Sequence, residues 1–170
     1  MIFQSEHEFL LRFRVGNDTF ALPIGRVLQI VERRPVTRVP HLSSTIAGVF
    51  NHDGVITPLV DLATKFQIAR SASQQRASIL LVFTDHSSTA PIGLLTDAVI
   101  DVVPVRTDSI EPAPSFGARV RLDYLAGVIK LGDGFTLVLD VDRFLTAAEL
   151  LELDAAREPL TVTEEELVYA

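Results

Sequence analysis

Apolar and polar positions alternate with a period of two along most of the chain. Phe9, Leu11, Phe13 and Val15 fall on one face, and Leu10, Arg12 and Arg14 on the other; this is the spacing of a β-strand. Gly16-Asn17-Asp18 turns the chain, and Phe20, Leu22 and Ile24 resume the alternation, so the opening is a hairpin. Val27–Val31 is too short to separate a strand from a helical turn. Pro35 and Pro40 bracket an extended segment, because the residue before a proline is pushed out of the helical region. From Ile46 to Leu62 two apolar runs flank Asp53-Gly54, which predicts a second hairpin with glycine at a positive φ. Pro58 lacks an N–H, which predicts an edge strand or a bulge. Asp61 is placed to cap a short helix over Ala63–Phe66.

Ala69–Ala77 is polar and patternless, a connector. Ile79–Phe83 is a continuous apolar run, suited to a strand buried on both faces. Asp85–Ser88 is a turn, Ala90–Leu95 and Ala98–Val105 are strands, and Pro104, Pro112 and Pro114 break the chain into extended pieces. A further hairpin surrounds Gly127. After Asp140 the period becomes helical: Phe144, Leu145, Ala148, Leu151 and Ala155-Ala156 predict an apolar stripe on a helix from Asp142 to Arg157, stopped by Pro159. The end, residues 158–170 with Glu164-Glu165-Glu166, is expected to be a loose acidic tail.

Two blocks recur. Ala47-Gly48-Val49, Thr57 and Asp61 return as Ala126-Gly127-Val128, Thr136 and Asp140 at a constant spacing of 79 residues (127 − 48 and 140 − 61), while the Asp-Gly turn slips by one, from 53–54 to 133–134. Pro23-Ile24-Gly25 returns as Pro91-Ile92-Gly93 at a shorter spacing. Ordered blocks of this kind point to two copies of one β unit. About ten short strands with close turns, followed by a helix, make an all-β chain of small barrels, because closure removes exposed edges.

The chain of 170 residues is long enough for a sizeable core. It has no cysteine, so disulfides and thiolate metal sites are excluded. No apolar run reaches membrane-spanning length and the start lacks the pattern of a signal peptide, so a cytoplasmic protein without direct membrane insertion is expected. A net charge of −7 disfavours nucleic acid as a partner. The one basic cluster, Arg33, Arg34 and Arg38, reads as a solvated loop.

Little points to catalysis. His7, His41 and His86 are scattered, and His52-Asp53 sits at a turn with no further ligand at metal spacing. No glycine-rich phosphate loop, nucleophile elbow or dinucleotide fingerprint is present. No catalytic residue, cofactor or metal is expected. Val27, Ile30, Val49 and Val55 read as core in preference to groove, and a non-catalytic interaction module is the class the residues support. The rivals are a regulatory barrel holding a small ligand between its units and an enzyme, a hydrolase built on His52 and Asp53.

Several segments taken together resemble the CheW family of chemotaxis coupling proteins. They are Phe13–Phe20, Leu22-Pro23-Ile24, Ile46-Ala-Gly-Val-Phe-Asn, Val55-Ile-Thr-Pro-Leu-Val-Asp-Leu, Gly93-Leu-Leu-Thr-Asp-Ala-Val, Ile110-Glu-Pro-Ala-Pro and Leu139-Asp-Val. The resemblance covers roughly Glu8 to Leu151. It implies one domain (8–151) of two five-stranded SH3-like barrels related by internal pseudo-symmetry, plus a C-terminal helix. It implies an adaptor without enzymatic activity, peripheral to membrane receptor arrays. Such an adaptor links the cytoplasmic tip of a chemoreceptor to the regulatory domain of a CheA-type histidine kinase, which has the same fold. Carried onto this chain, the interaction surface comprises Val27, Gln29, Val49, Asn51, His52, Asp53 and Gly54. Two departures stand out. Where the family commonly has Asn-Leu-Arg-Gly this chain has Asn51-His52-Asp53-Gly54, a reversal of charge, and Gln29 replaces a common glutamate. These changes imply a divergent receptor or kinase pair, because like charges facing across an interface are costly.

Overall fold

Each of the two barrels takes strands from both halves of the chain. The computed structural model describes residues 3–70, 77–85, 87–114 and 120–157. Among these the elements are β1 (His7–Val15), β2 (Asp18–Pro23), β3 (Val27–Glu32), β4 (Ile46–His52), β5 (Val55–Asp61), α1 (Leu62–Phe66), β6 (Ser78–Thr84), β7 (Ser87–Thr96), β8 (Ala98–Arg106), β9 (Leu125–Leu131), β10 (Gly134–Leu139) and α2 (Ala147–Arg157). One five-stranded sheet runs β8-β1-β2-β10-β9, the terminal barrel; the other runs β3-β6-β7-β5-β4, the central barrel. Moving every strand on by five converts one order into the other. The repeat is therefore present in the topology, but repeat and barrel do not coincide. The leading two strands of each copy sit in the barrel built by the trailing three strands of the other.

The Ala-Gly-Val blocks are where each barrel closes. Ala47 and Ala126 are bulge residues, since the register jumps from Ile46↔Val60 to Gly48↔Leu59, and from Leu125↔Leu139 to Gly127↔Val138. A bulge bends its strand. The chain leaving the opposite edge then crosses over the glycine and pairs with the valine. Thr37 N donates to Val49 O (2.8 Å) and Val49 N to Thr37 O (2.9 Å); Glu111 and Val128 exchange the same pair at 2.9 and 2.7 Å. A Cβ on Gly48 (φ +146°) falls 2.2 Å from Thr37 O, and one on Gly127 falls 2.5 Å from Glu111 O. The two glycines recur because a crossing backbone leaves no room for a side chain.

Three cores result. Leu10, Ala21, Val105, Ile129 and Val138 fill the terminal barrel, and Val31, Phe50, Leu59, Ile79, Leu81 and Leu95 the central one. The largest core lies between them. Leu11, Phe13, Phe20 and Leu22 there meet Leu80, Val82, Ile92 and Leu94, with Phe13, Phe20, Phe66 and Tyr124 in a row of ring contacts. Successive side chains of a strand point to opposite faces. That is why Ile79–Phe83 reads as a continuous run: Ile79 and Leu81 face the barrel, and Leu80 and Val82 face the other barrel.

Several expectations change. Val27–Val31 is a strand. Pro58 is in neither an edge strand nor a bulge, since β5 lies inside its sheet. It pairs with Val49, whose N–H and C=O both point away to Thr37, and the ladder to β7 begins only at Leu59, so no donor is missed. The Pro-Ile-Gly match is not structural, because β5 and β10 pair with Gly93 and Ala21 at matching positions, which makes Ala21 the counterpart of Gly93. The slipped turn also has a cause. The loop residues are Asp53-Gly54, both at positive φ, and Gly132-Asp133, with only Gly132 positive. The two hairpins use different tight turns.

α2 begins at Ala147, not Asp142. Thr146 and Glu149 form a capping box: Glu149 N donates to Thr146 Oγ1 (3.1 Å) and Thr146 N to Glu149 Oε1 (3.0 Å). This start turns Glu149, Leu153 and Ala156 inward, while Ala148, Leu151 (72% exposed) and Ala155 face out. The acidic tail, Pro159, His86 and most of the 69–77 connector lie outside the described residues. Arg26 anchors the turn before α2 with a bidentate pair to Asp142 (2.9 and 2.7 Å). Arg26→Ala is expected to cost about 2 kcal/mol in chemical denaturation, as for a charge-assisted pair at a half-buried site.

Candidate interaction surface

The residues singled out by resemblance gather at the seam of the central barrel, where edge strands β3 and β4 face each other. Gln29 of β3 reaches His52 at the end of β4, with Oε1 3.1 Å from Nε2. Arg34 Nη1 crosses the same seam to Asn51 O (3.4 Å). Asn51 Oδ1 accepts from Gly54 N (2.8 Å), which locks the turn and lifts Asp53 (side chain 84% exposed) to its tip. Asp53 Oδ2 is 3.5 Å from His52 Nε2. Gln29, Asn51, Asp53 and Gly54 are exposed. Val49 is half-buried in the closure, and Val27 is half-buried against the inter-barrel core. His52 is 8% exposed, and its Nδ1 is buried with no hydrogen-bond partner among the described residues.

This cluster suits recognition better than proton transfer. One ring nitrogen of His52 is held by Gln29 and the other is buried, whereas a general base must reach the proton it takes. Among the described residues no three His, Asp or Glu side chains converge as a metal site. Gln29 therefore supports His52 in addition to facing solvent. Gln29→Ala leaves the buried ring without its bond, and about 1–2 kcal/mol of stability should be lost in urea denaturation.

Around the polar cluster is an apolar rim that sequence reasoning largely missed. Leu28, Ile30, Val55 and Ile56 are all exposed, although Ile30 and Val55 read as core. The terminal barrel repeats the pattern. Leu28 is the bulge residue of β3, between Val27↔Val82 and Gln29↔Leu81; Ile100 is the bulge residue of β8, between Phe13↔Val99 and Arg12↔Asp101. The same registers match Gln29 with Asp101 and Ile30 with Val102, and the hairpin offset matches Ile56 with Phe135. Ile100, Val102 and Phe135 are exposed, as their counterparts are. The signal in the sequence was too weak to see: the connection from the bulged strand to the hairpin is longer in the second copy, so the spacing changes from 72 (100 − 28) to 79 (135 − 56), and none of these exposed apolar residues is identical to its counterpart.

Two clefts of about 660 and 790 Å³, neither enclosed, lie at matched ends of the barrels. Neither is the dry, convergent pocket that a small regulatory ligand favours. No helix of the described residues is long and apolar enough to cross a membrane.

Known proteins give the geometry a context. The model of the CheW-like domain matches residues 10–149. The chemotaxis protein CheW of Klebsiella aerogenes is 32% identical over 148 residues, covering 86% of each chain. FrzA of Myxococcus xanthus is 26% identical over 125 residues, covering 74% of this chain and 75% of that one. The crystal structure of the scaffolding protein TtCheW from Thermoanaerobacter tengcongensis superimposes with a TM-score of 0.77 at 23% identity, over 86% of this chain and 92% of that one, so it shares the fold. With an all-β pair of pseudo-symmetric barrels, a C-terminal helix and a family match over most of its length, the chain belongs to the CheW-like domain family.

Proposed function

We propose that this protein is a non-catalytic cytoplasmic adaptor of a chemotaxis-like pathway, joining a chemoreceptor tip to the regulatory domain of a CheA-type histidine kinase. Family membership supports this reading, as do relatives that bear chemotaxis names. The observation that carries it is the matched pair of exposed apolar faces, Leu28/Ile30/Ile56 and Ile100/Val102/Phe135, one on each barrel. A chain with two such faces can touch two proteins at once, each through an apolar centre with a few orienting polar groups. Asp53, in place of a common cation, tunes the central face to a divergent partner.

The test is binding to the kinase regulatory domain and the receptor tip from the same genome neighbourhood. Saturable association near micromolar Kd is expected. Ile30→Asp and Phe135→Asp should each abolish one contact and spare the other. Asp53→Arg should change affinity for one partner about tenfold. Unchanged affinity for both would take position 53 off the recognition surface, and no association at high concentration would defeat the adaptor reading.

A further inference from the structure

The two matched clefts differ in what lines them. In the terminal barrel one wall is the chain's own N-terminal segment, Phe3–Glu6. Phe3 packs against the barrel core, and Thr107 N donates to Glu6 O (2.9 Å). The remaining lining includes Leu125, Ala126 and Asp140, which are the repeat partners of Ile46, Ala47 and Asp61 in the central cleft. In the central cleft the rim is cationic: Arg33, Arg34 and Arg38 come from the segment after β3, and Arg70 comes from beyond α1. The sequence shows three of these arginines together and gives no sign that Arg70 joins them. Asp61 is the one carboxylate of the lining and pairs with Arg70, so the cleft is net positive on a chain of net charge −7. Ile46, Leu59 and Leu95 supply an apolar floor.

We propose that the central cleft is a docking site for an acidic, extended segment of a partner protein, one that places carboxylates on the arginine rim and a large apolar side chain on the floor. Three features point to that occupant. The rim complements carboxylates, and arginine forks bind them in bidentate fashion. The floor asks for an apolar anchor. The counterpart cleft is walled by an extended segment of the chain that anchors through one aromatic side chain, Phe3 against the core, and carries one carboxylate residue, Glu6, in the lining. The site also adjoins the seam, since Arg34 touches Asn51, so a partner seated on the central barrel could reach both. This extends the adaptor reading but is tested without kinase or receptor, so either can fail alone.

The probe is a short labelled peptide carrying several glutamates and one phenylalanine among serines, titrated into the full chain at low salt and read by fluorescence anisotropy. Binding should be at least about tenfold tighter than for the same peptide with glutamine for glutamate. R33Q/R38Q should remove that preference, R33K/R38K should keep the charge but lose the fork and so retain only part of it, and a thermal melt like that of the parent shows that each variant is folded. The proposal is overturned if the glutamine peptide binds equally, if R33Q/R38Q binds unchanged, or if a single-stranded oligonucleotide of equal charge binds as tightly, which marks an unselective basic patch.

Discussion

Gly48→Ala is expected to lower stability by about 3–5 kcal/mol, among the largest effects a single methyl group can have. The added Cβ lies 2.2 Å from Thr37 O and 2.8 Å from a Val36 methyl, and the residue sits at φ +146°, where L-residues are strained. Relief requires the crossing segment to lift, which breaks both Thr37–Val49 hydrogen bonds and opens the seam that carries Gln29, His52 and Asp53. For a chain of this size roughly 2–4 °C is lost per kcal/mol, so a melting temperature about 10 °C lower is expected. Gly127→Ala, without the positive φ, should cost less, about 2 kcal/mol, through the contact with Glu111 O. Gly54→Ala meets no atom within 4 Å and should cost only the backbone strain of φ +84°, about 1 kcal/mol. Equal melting temperatures for the Gly48 and Gly54 variants would remove the closure argument.

Glu149→Ala is expected to cost about 3–5 kcal/mol, because it leaves the Lys65 ammonium buried without its partner. Glu149 also accepts from Thr45 Oγ1 (2.8 Å) and from Thr146 N, so one carboxylate ties α2 to α1, to the segment before β4 and to its own cap. Lys65 lies over the Tyr124 ring, 4.7 Å from its centroid. K65M/E149Q should recover most of the loss, since it removes the buried charge and keeps a capping side chain. Burial pushes the Glu149 carboxyl up, but the bonds from Lys65, Thr146 and Thr45 outweigh it and hold the folded value below the usual 4.5. A carboxyl lowered in the folded state contributes stability above its unfolded value and loses it as pH falls through the folded one. The parent should therefore weaken below about pH 4.5, and Glu149→Gln should lack that share of the acid transition in urea melts taken across pH.

Both predictions rest on residues whose importance is unevenly legible. Gly48 and Gly127 stand out as a repeat, but their purpose depends on a connecting segment eleven or more residues upstream crossing over them. Glu149 reads as one acidic position on a helix, and of the expected apolar stripe Phe144, Leu145 and Ala156 are buried while Ala148, Leu151 and Ala155 face out. A helix start is set by its capping box, and a stripe counted from Asp142 places Leu151 inward, whereas starting at Thr146 brings the buried carboxylate to Lys65.

Local chemistry alone determined the strands other than β3, the Asp53-Gly54 turn, the Asp61 cap and the doubling of one β unit, because alternation, turn residues and caps act over a few neighbours. Tertiary structure decided the exchange of strands between the repeats, the core between the barrels, the matching apolar faces and the gathering of Arg70 with Arg33 and Arg38. Each of these depends on which distant edge a strand meets. Bulges at Leu28 and Ile100, and at Ala47 and Ala126, set that register one residue at a time, and a one-residue shift exchanges inside for outside.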